Sequence, residues 1–357
     1  MVAVSSEPHV GVAPAVFLPF EHFGFDPESD RTDGIPTAPV VGTYPDGLDE
    51  LEIFDDPPVE HDPLLLERVL RDAEDDPEVA FIVDTFKLRG TPEERFGAYF
   101  DTGTAQALSE LMARFGIGCE SSICDLGCGT GWLASALDRL GYGQLWAMDT
   151  NVGVTEYLRT VAGDRIEVVT DLDVWRGIRG IFDAVLSVAT VHHWENIPRV
   201  ALDTRRTMKP GAHWFAVMEW FADTPAEFLA AMTTHPTRTR YRRYEWAYPV
   251  SAYVDLVQSV GFTLVAVLPL YYRGNALMTV KPPTPPQIDQ AALDALVDER
   301  MVGPNGTVEF FWSEVDARRR DPAGSRLFTR PQVMVFQRTA VSREERSLAA
   351  PGGGVRG

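Results

Sequence analysis

Three glycines, three carboxylates and a pair of histidines are the residues of this chain whose types and spacing suit chemistry. Gly127, Gly129 and Gly131 alternate with Cys128 and Thr130 directly after a short apolar run, Ile123-Cys124-Asp125-Leu126. Glycine has no Cβ, so the chain can turn sharply there and bring its backbone against a ligand. Such a turn between a strand and a helix makes a cofactor site at the strand's carboxyl end. Asp149 follows Gly129 by 20 residues and closes a second apolar run, Gln144–Met148. A carboxylate there can accept two hydroxyl hydrogen bonds, which is what a ribose diol offers. Together these residues read as the start of a site for a nucleoside-containing cofactor. Downstream, His192 and His193 adjoin one another, and Glu219 follows a further apolar run. Histidine titrates near neutral pH and suits proton removal from a phenol or an acidic C–H.

The elements that must hold these residues alternate between strand and helix. That order implies a doubly wound α/β domain with a mostly parallel sheet covered on both faces. Residues 144–148, 166–169 and 213–218 read as strands, 182–194 as a strand with the edge that follows it, and 251–262 as a helix and turn leading into strand six. Residues 332–337 read as the last strand, with 277–281 as the competing partner for strand six. Ahead of the sheet, 61–115 reads as a helical cap, because Val69 and Leu70, then Ala105, Leu108, Leu111, Met112 and Phe115, recur at helical spacing. The core spans 116–280 and contains an insertion at 222–249. Thr224-Pro225-Ala226-Glu227 is a capping box with proline at the first helical position, so a helix is predicted there. Arg238, Arg240, Arg242 and Arg243 then interleave with Tyr241, Tyr244 and Trp246. That segment reads either as a wall for an anionic, aromatic substrate, since guanidinium matches carboxylate and phosphate forks, or as a solvated, salt-bridged face. A second insertion, 281–331, opens with a stiff Pro-rich linker. It continues with a helix over 288–302, a turn at Asn305-Gly306 and a strand over 307–312. Residues 332–340 carry the last strand. Residues 1–60 are acidic and rich in Pro and Gly with scattered aromatics, so partial order is expected; 341–357 is expected to be a disordered tail.

The glycine spacing is G-x-G-x-G, whereas dinucleotide sites favour G-x-G-x-x-G with a pyrophosphate on the helix N-terminus. With Asp149 it resembles the class I S-adenosylmethionine-dependent methyltransferases. Further matching motifs follow in order: Thr170-Asp171-Leu172 after the third strand, the stretch from Phe182 to Trp194, Thr207-Met208-Lys209-Pro210-Gly211, and Gly261-Phe262. Ala212 departs from the pattern where a second glycine is usual. The resemblance covers roughly residues 115–270 and implies a Rossmann-like, doubly wound, mostly parallel seven-stranded sheet. It implies S-adenosyl-L-methionine as cofactor and S-adenosyl-L-homocysteine as product. It places Asp125, Gly127, Cys128, Gly129, Gly131, Asp149, Thr150, Asp171, Leu172, Ser187 and Val188 around that cofactor, with Asp171 at the adenine amino group. Tyr99 joins them from the cap, and Arg95 is a candidate for the methionine carboxylate. The catalytic candidates are His192, Glu219 and His193. Trp194, Trp220, Arg240, Tyr241 and Tyr244 are the substrate candidates. No metal is expected.

The formal charge of -20, from 52 acids against 32 Lys and Arg, argues against a polyanionic substrate, which binds through Lys and Arg on its phosphates. Cys119, Cys124 and Cys128 form no CxxC pair and are expected to stay reduced. No signal peptide or membrane span is expected, so a cytoplasmic location is. The partner expected is a small molecule, with no nucleic acid and no membrane; a homodimer stays open. The function implied is methyl transfer to a small molecule in specialised, natural-product metabolism. An RNA or protein methyltransferase is the alternative, and a non-catalytic cofactor-binding partner protein the second.

Overall fold

The computed structural model describes residues 65–85, 89–100, 103–194, 197–222, 227, 241, 247–279, 287–301, 306–321 and 323–339. Four helices come first: α1 (Leu65–Asp72), α2 (Pro77–Thr85), α3 (Pro92–Phe100) and α4 (Thr104–Arg114). The alternating part runs β1 (Ser122–Leu126), α5 (Trp132–Arg139), β2 (Gln144–Met148), α6 (Val152–Ala162), β3 (Ile166–Val169), α7 (Leu172–Gly177) and β4 (Phe182–Val188). It continues through a 3₁₀ turn at Val191–His193, then α8 (Ile197–Thr207), β5 (Met208–Val217), α9 (Val250–Gln258) and β6 (Phe262–Leu268). Helices α10 (Gln290–Arg300) and α11 (Thr307–Arg320) precede β7 (Val333–Arg338).

The strands form one sheet in the order β3-β2-β1-β4-β5-β7-β6. Strand β7 runs antiparallel between β5 and β6, and the other pairings are parallel. A parallel strand covered on both faces reads as a continuous buried run, and β1 is buried at all five positions. Alternate residues of β5 go to opposite layers. Trp214 belongs to the buried cluster that also holds Trp175 of α7, Leu202 of α8, Tyr253 of α9 and Phe311 of α11. Phe215 belongs to the other buried cluster, with Leu108 of α4, Leu133 of α5 and Val297 of α10. Both layers leave the carboxyl ends of β1, β2, β4 and β5 on one edge.

The structure identifies β7 as the strand beside β6, and Leu277 to Thr279 lie in turns. The helix expected over 288–302 is α10. Residues 307–312, expected as a strand, are instead the start of α11. Thr, Val, Phe and Trp favour strands locally, but that preference spans only about 1 kcal/mol. Helical spacing brings Thr307, Phe311, Val315 and Arg318 onto one buried face, and burying one Phe or Val side chain contributes roughly 1.5–3 kcal/mol. Packing therefore outweighs propensity. The Thr307 hydroxyl also accepts the Val267 N–H at 2.9 Å, tying the helix start to β6. The capping box at Thr224, the Arg-rich segment apart from Tyr241, the first 60 residues and the tail lie outside the described residues.

Candidate active site

The glycine loop leaves β1 and is held from β2. The amides of Gly127 and Cys128 both donate to the Met148 carbonyl, at 2.7 and 3.1 Å. Gly127 has φ 73°, and a Cβ there would lie 2.2 Å from the Thr190 methyl. The tight packing of Thr190 on the loop therefore needs glycine. Gly129 differs: its φ is 51°, yet a Cβ would meet no atom within 4 Å. The space beside Gly129 is open, which is the space a cofactor would use. Gly131 ends the loop and caps α5. Cys128 is buried, and burial pushes its thiol's pKa well up, so it packs as a neutral residue.

Asp125 sits on β1 beneath this loop and is 3% exposed. Its Oδ2 has no hydrogen-bond partner among the described residues. Burial is the main cause that raises its pKa to about 7; the nearby Asp149 charge adds to the rise, and a hydrogen bond from the Ala134 amide opposes it. A buried carboxylate without a counter-charge is costly. It fits a cationic ligand group, and the cofactor implied by the sequence carries an ammonium and a sulfonium. Tyr99 stacks on Trp132 with ring centroids 5.8 Å apart, and burial raises its phenol to about 12. Arg95 also lies on α3; its Nε is buried with no hydrogen-bond partner among the described residues, and desolvation lowers its pKa.

Asp149 accepts the Gly129 amide on Oδ2 at 2.9 Å and the Asn151 amide on Oδ1 at 2.8 Å. A carboxylate has about four acceptor sites, so each oxygen keeps one for a ligand hydroxyl. Thr150 beside it is exposed. Asp171 caps α7, with Oδ1 accepting the amides of Asp173 and Val174. Leu172, next in the chain, is exposed. Ser187 does not face this edge through its side chain. It is fully buried, and its hydroxyl accepts the Trp214 indole N–H at 2.9 Å. The reason is the strand alternation, which turns that position into the layer holding Trp214. Val188, one residue on, packs half-buried in the opposite layer.

His192 and Glu219 come together across β4 and β5. His192 is 6% exposed, and its Nδ1 lies 2.7 Å from Glu219 Oε2. The same oxygen accepts the His192 backbone N–H at 3.1 Å. Glu219 Oε1 accepts the amides of Thr190 at 3.2 Å and Val191 at 3.1 Å. Each oxygen of the carboxylate thus takes two donors. Glu219 was a candidate proton acceptor, but the structure commits its acceptor sites to the Thr190–His192 backbone and the His192 ring. His193 is exposed and its ring leans on that of His192, centroids 4.2 Å apart.

Residues 96–267 match the family model described as a methyltransferase domain. The sheet order, with one antiparallel strand inserted next to the edge, is the fold of that family. The chain carries a class I methyltransferase domain. Solved structures similar to this chain include a candidate methyltransferase from Bacillus halodurans C-125 (14% identity, 65% of this chain, 99% of that chain, TM-score 0.42). Another is a candidate sarcosine dimethylglycine methyltransferase from Galdieria sulphuraria (13%, 74%, 99%, TM-score 0.44). A third is an S-adenosylmethionine-dependent methyltransferase from Mesorhizobium loti (15%, 61%, 91%, TM-score 0.38). At such likeness none of them informs the acceptor. No curated protein matches the sequence.

In this methyltransferase the aromatic candidates divide. Trp194 is half-buried and stacks on Trp214 at 5.8 Å. Trp220, also half-buried, accepts the Tyr253 hydroxyl on its carbonyl at 3.1 Å. Both adjoin the His192–Glu219 pair in the chain. Tyr241 goes elsewhere: it packs with Val69, Ala73, Val79 and Val83 and donates to Asp72 of α1 at 2.7 Å. It ties the insertion to the first two helices. Arg240 and Tyr244 lie outside the described residues. Sequence reading missed Thr190, whose hydroxyl donates to the Val188 carbonyl at 2.9 Å and whose methyl abuts Gly127. It also missed Ala189 and Met218, held at φ 50° and 55° just past β4 and β5. Non-glycine residues in that region are strained and concentrate at functional edges, and side-chain chemistry alone gives no signal for them. Among the described residues no group of three His, Cys, Asp or Glu stands close enough to hold a metal ion. No described helix is long and apolar enough to cross a membrane.

Proposed function

We propose that this methyltransferase binds S-adenosyl-L-methionine at the edge formed by Asp125, Gly127–Gly131, Asp149 and Asp171, and methylates a small molecule held against His192, Trp194 and Trp220. The observation that carries the cofactor reading is the buried, unpartnered Asp125 carboxylate oxygen, with open space beside Gly129 in the same loop. The net charge of -20 supports a small acceptor over a polyanion. When bound, the cofactor supplies a methyl group already activated on a sulfonium. The protein's tasks are then to bind, orient and exclude water. Asp149 offers one acceptor site per oxygen to the ribose, Asp171 Oδ2 the adenine amino group, and Asp125 a negative charge to the methionine end. Natural-product metabolism is the setting proposed for the acceptor.

Two outcomes follow for cofactor binding. Asp149→Ala removes both ribose acceptors and the tie to Gly129. S-adenosylhomocysteine affinity should fall roughly 10²- to 10⁴-fold, since hydrogen bonds to a charged group are worth about 1.5–3 kcal/mol each and two are lost. Calorimetric titration measures it, and an unchanged Kd would remove Asp149 from the site. The second outcome concerns pH. Asp125 titrates near 7 in the free protein, and a cationic ligand favours its ionised form. Below that pH, binding must expel its proton; above it, the charge is already present. Affinity for S-adenosylhomocysteine should therefore rise with pH, by up to roughly tenfold per unit below 7, and level off above. Titrations at pH 6 and pH 8 should differ in the wild type and agree in Asp125→Asn. Equal wild-type affinities at both would show that Asp125 does not face the ligand.

The test of the whole reading is transfer of labelled methyl from S-adenosylmethionine into a cell extract, before and after nuclease and protease. Label in a low-mass fraction that survives both supports a small acceptor. Label released by nuclease or protease moves the acceptor to RNA or protein. No label despite cofactor binding would make the domain a non-catalytic binding module.

A further inference from the structure

Resting on that reading, we infer that Asn275 is an acceptor-binding residue, and that its side-chain Nδ2 selects a small molecule bearing a neutral carbonyl oxygen. Asn275 ends the turn Tyr272–Asn275 that follows β6 and is 1% exposed. Its Oδ1 accepts the Tyr271 amide at 2.7 Å. That bond fixes which end of the side chain is oxygen, because a backbone N–H needs an acceptor. Nδ2 is therefore a donor, and it has no hydrogen-bond partner among the described residues. A buried donor left unmet is costly, and an oxygen brought by a ligand removes that cost.

The turn is strained, and its surroundings hold the strain in place. Tyr271, Arg273 and Asn275 have φ of 70°, 47° and 60°. Non-glycine residues persist there when neighbours over-determine the backbone, as at ligand clamps. Gln290 of α10 donates to the Tyr271 carbonyl at 2.7 Å, and Asp294 of the same helix accepts the Arg273 amide at 2.7 Å. The Gln332 side chain accepts the Leu277 amide at 3.3 Å and donates to the Pro269 and Tyr272 carbonyls, both at 2.8 Å. Gln332 also sets the turn beside the reacting edge. Its carbonyl accepts the amide of Met218, the residue between β5 and Glu219, and the Thr279 hydroxyl lies 3.3 Å from the Met218 sulfur. The crevice between the turn and α4 is lined by Ala107, Leu111, Tyr272 and Ala276 and not by Asn275, so the amide is turned away from α4. The ligand oxygen that suits it is neutral. Asn275 brings no charge, and the carboxylates of Asp125 and Glu219 stand along the same edge, so an anionic oxygen would meet like charges. A carbonyl is a neutral acceptor of two hydrogen bonds.

The experiment identifies the labelled low-mass product from the extract by mass spectrometry and NMR. It then measures transfer to the unmethylated compound, and to an analogue with the carbonyl reduced to a methylene, by full-length wild type and Asn275→Asp. That substitution keeps an oxygen for the Tyr271 amide and replaces the donor by an acceptor. On the native acceptor kcat/KM is expected to fall roughly 100-fold, while S-adenosylhomocysteine affinity stays within a few-fold. The wild type should lose about as much on the analogue, and the variant should lose little more on the analogue than on the native compound, because both changes remove one interaction. An acceptor without a carbonyl, or losses that multiply, would overturn the inference while leaving small-molecule methylation intact. Absence of any low-mass label would instead overturn the reading it rests on, and the inference with it. Should Asn275→Asp fail to fold, the wild type decides. The side-chain NH₂ signals of ¹⁵N-labelled Asn275 are expected to shift when the acceptor joins the S-adenosylhomocysteine complex, and signals that stay in place would overturn the assignment.

Discussion

Gly129→Val is expected to abolish cofactor binding while the domain stays folded. The two effects separate because of where Gly129 sits. Its φ of 51° costs a non-glycine residue roughly 1–2 kcal/mol, which lowers the melting temperature by several degrees in a domain of this size. Its Cβ direction, however, points into space with no atom within 4 Å, so the free protein can hold a side chain there. A ligand threading the same space cannot share it with an isopropyl group. The loss in S-adenosylhomocysteine affinity should be roughly 10³-fold or more, about 4 kcal/mol, far above the strain term. Gly127→Ala makes the control: its Cβ would press within 2.2 Å of Thr190, so stability and binding should fall together. Calorimetric titration beside a thermal melt reads both. A Gly129→Val protein that binds within tenfold of wild type would show that the cofactor runs elsewhere.

The second large effect is kinetic. His192→Ala is expected to slow turnover on the native acceptor by roughly 10²–10⁴-fold, the usual contribution of a positioned general base. Cofactor affinity should stay within a few-fold, because the loop is held through Met148, Asp149 and Thr190 and not through the imidazole. His193→Ala, at the exposed neighbour, should cost much less. Single-turnover methyl transfer at saturating cofactor is the measurement. A loss below tenfold would leave positioning alone as the source of rate and make His192 a packing residue.

Much of the core was legible because its signals are local. Strands β2 and β3 fall on the residues read for them, since a buried parallel strand is a short apolar run bounded by a turn. The glycine loop was legible for a similar reason: its conformation depends on what each residue lacks. The failures share a cause too. Residues 307–312 have strand-forming types, and packing on β6 makes them helical. Ser187 was placed at the cofactor by motif position, yet a half-turn of strand pleat sends its hydroxyl to Trp214. Tyr241 was placed at the substrate and instead anchors to Asp72, 169 residues earlier.

By itself, then, the sequence determined that a glycine turn and following acids stand at the ends of alternating strands, and hence the class of cofactor and of fold. Those features are set within a few residues of chain by φ preference and burial period. Only the tertiary structure decided what Glu219 does. Its partners are donors 27 to 29 residues away, brought to it because β4 and β5 pair in parallel and end side by side. A carboxylate's role depends on how many donors reach its oxygens, and that number is a property of strand order.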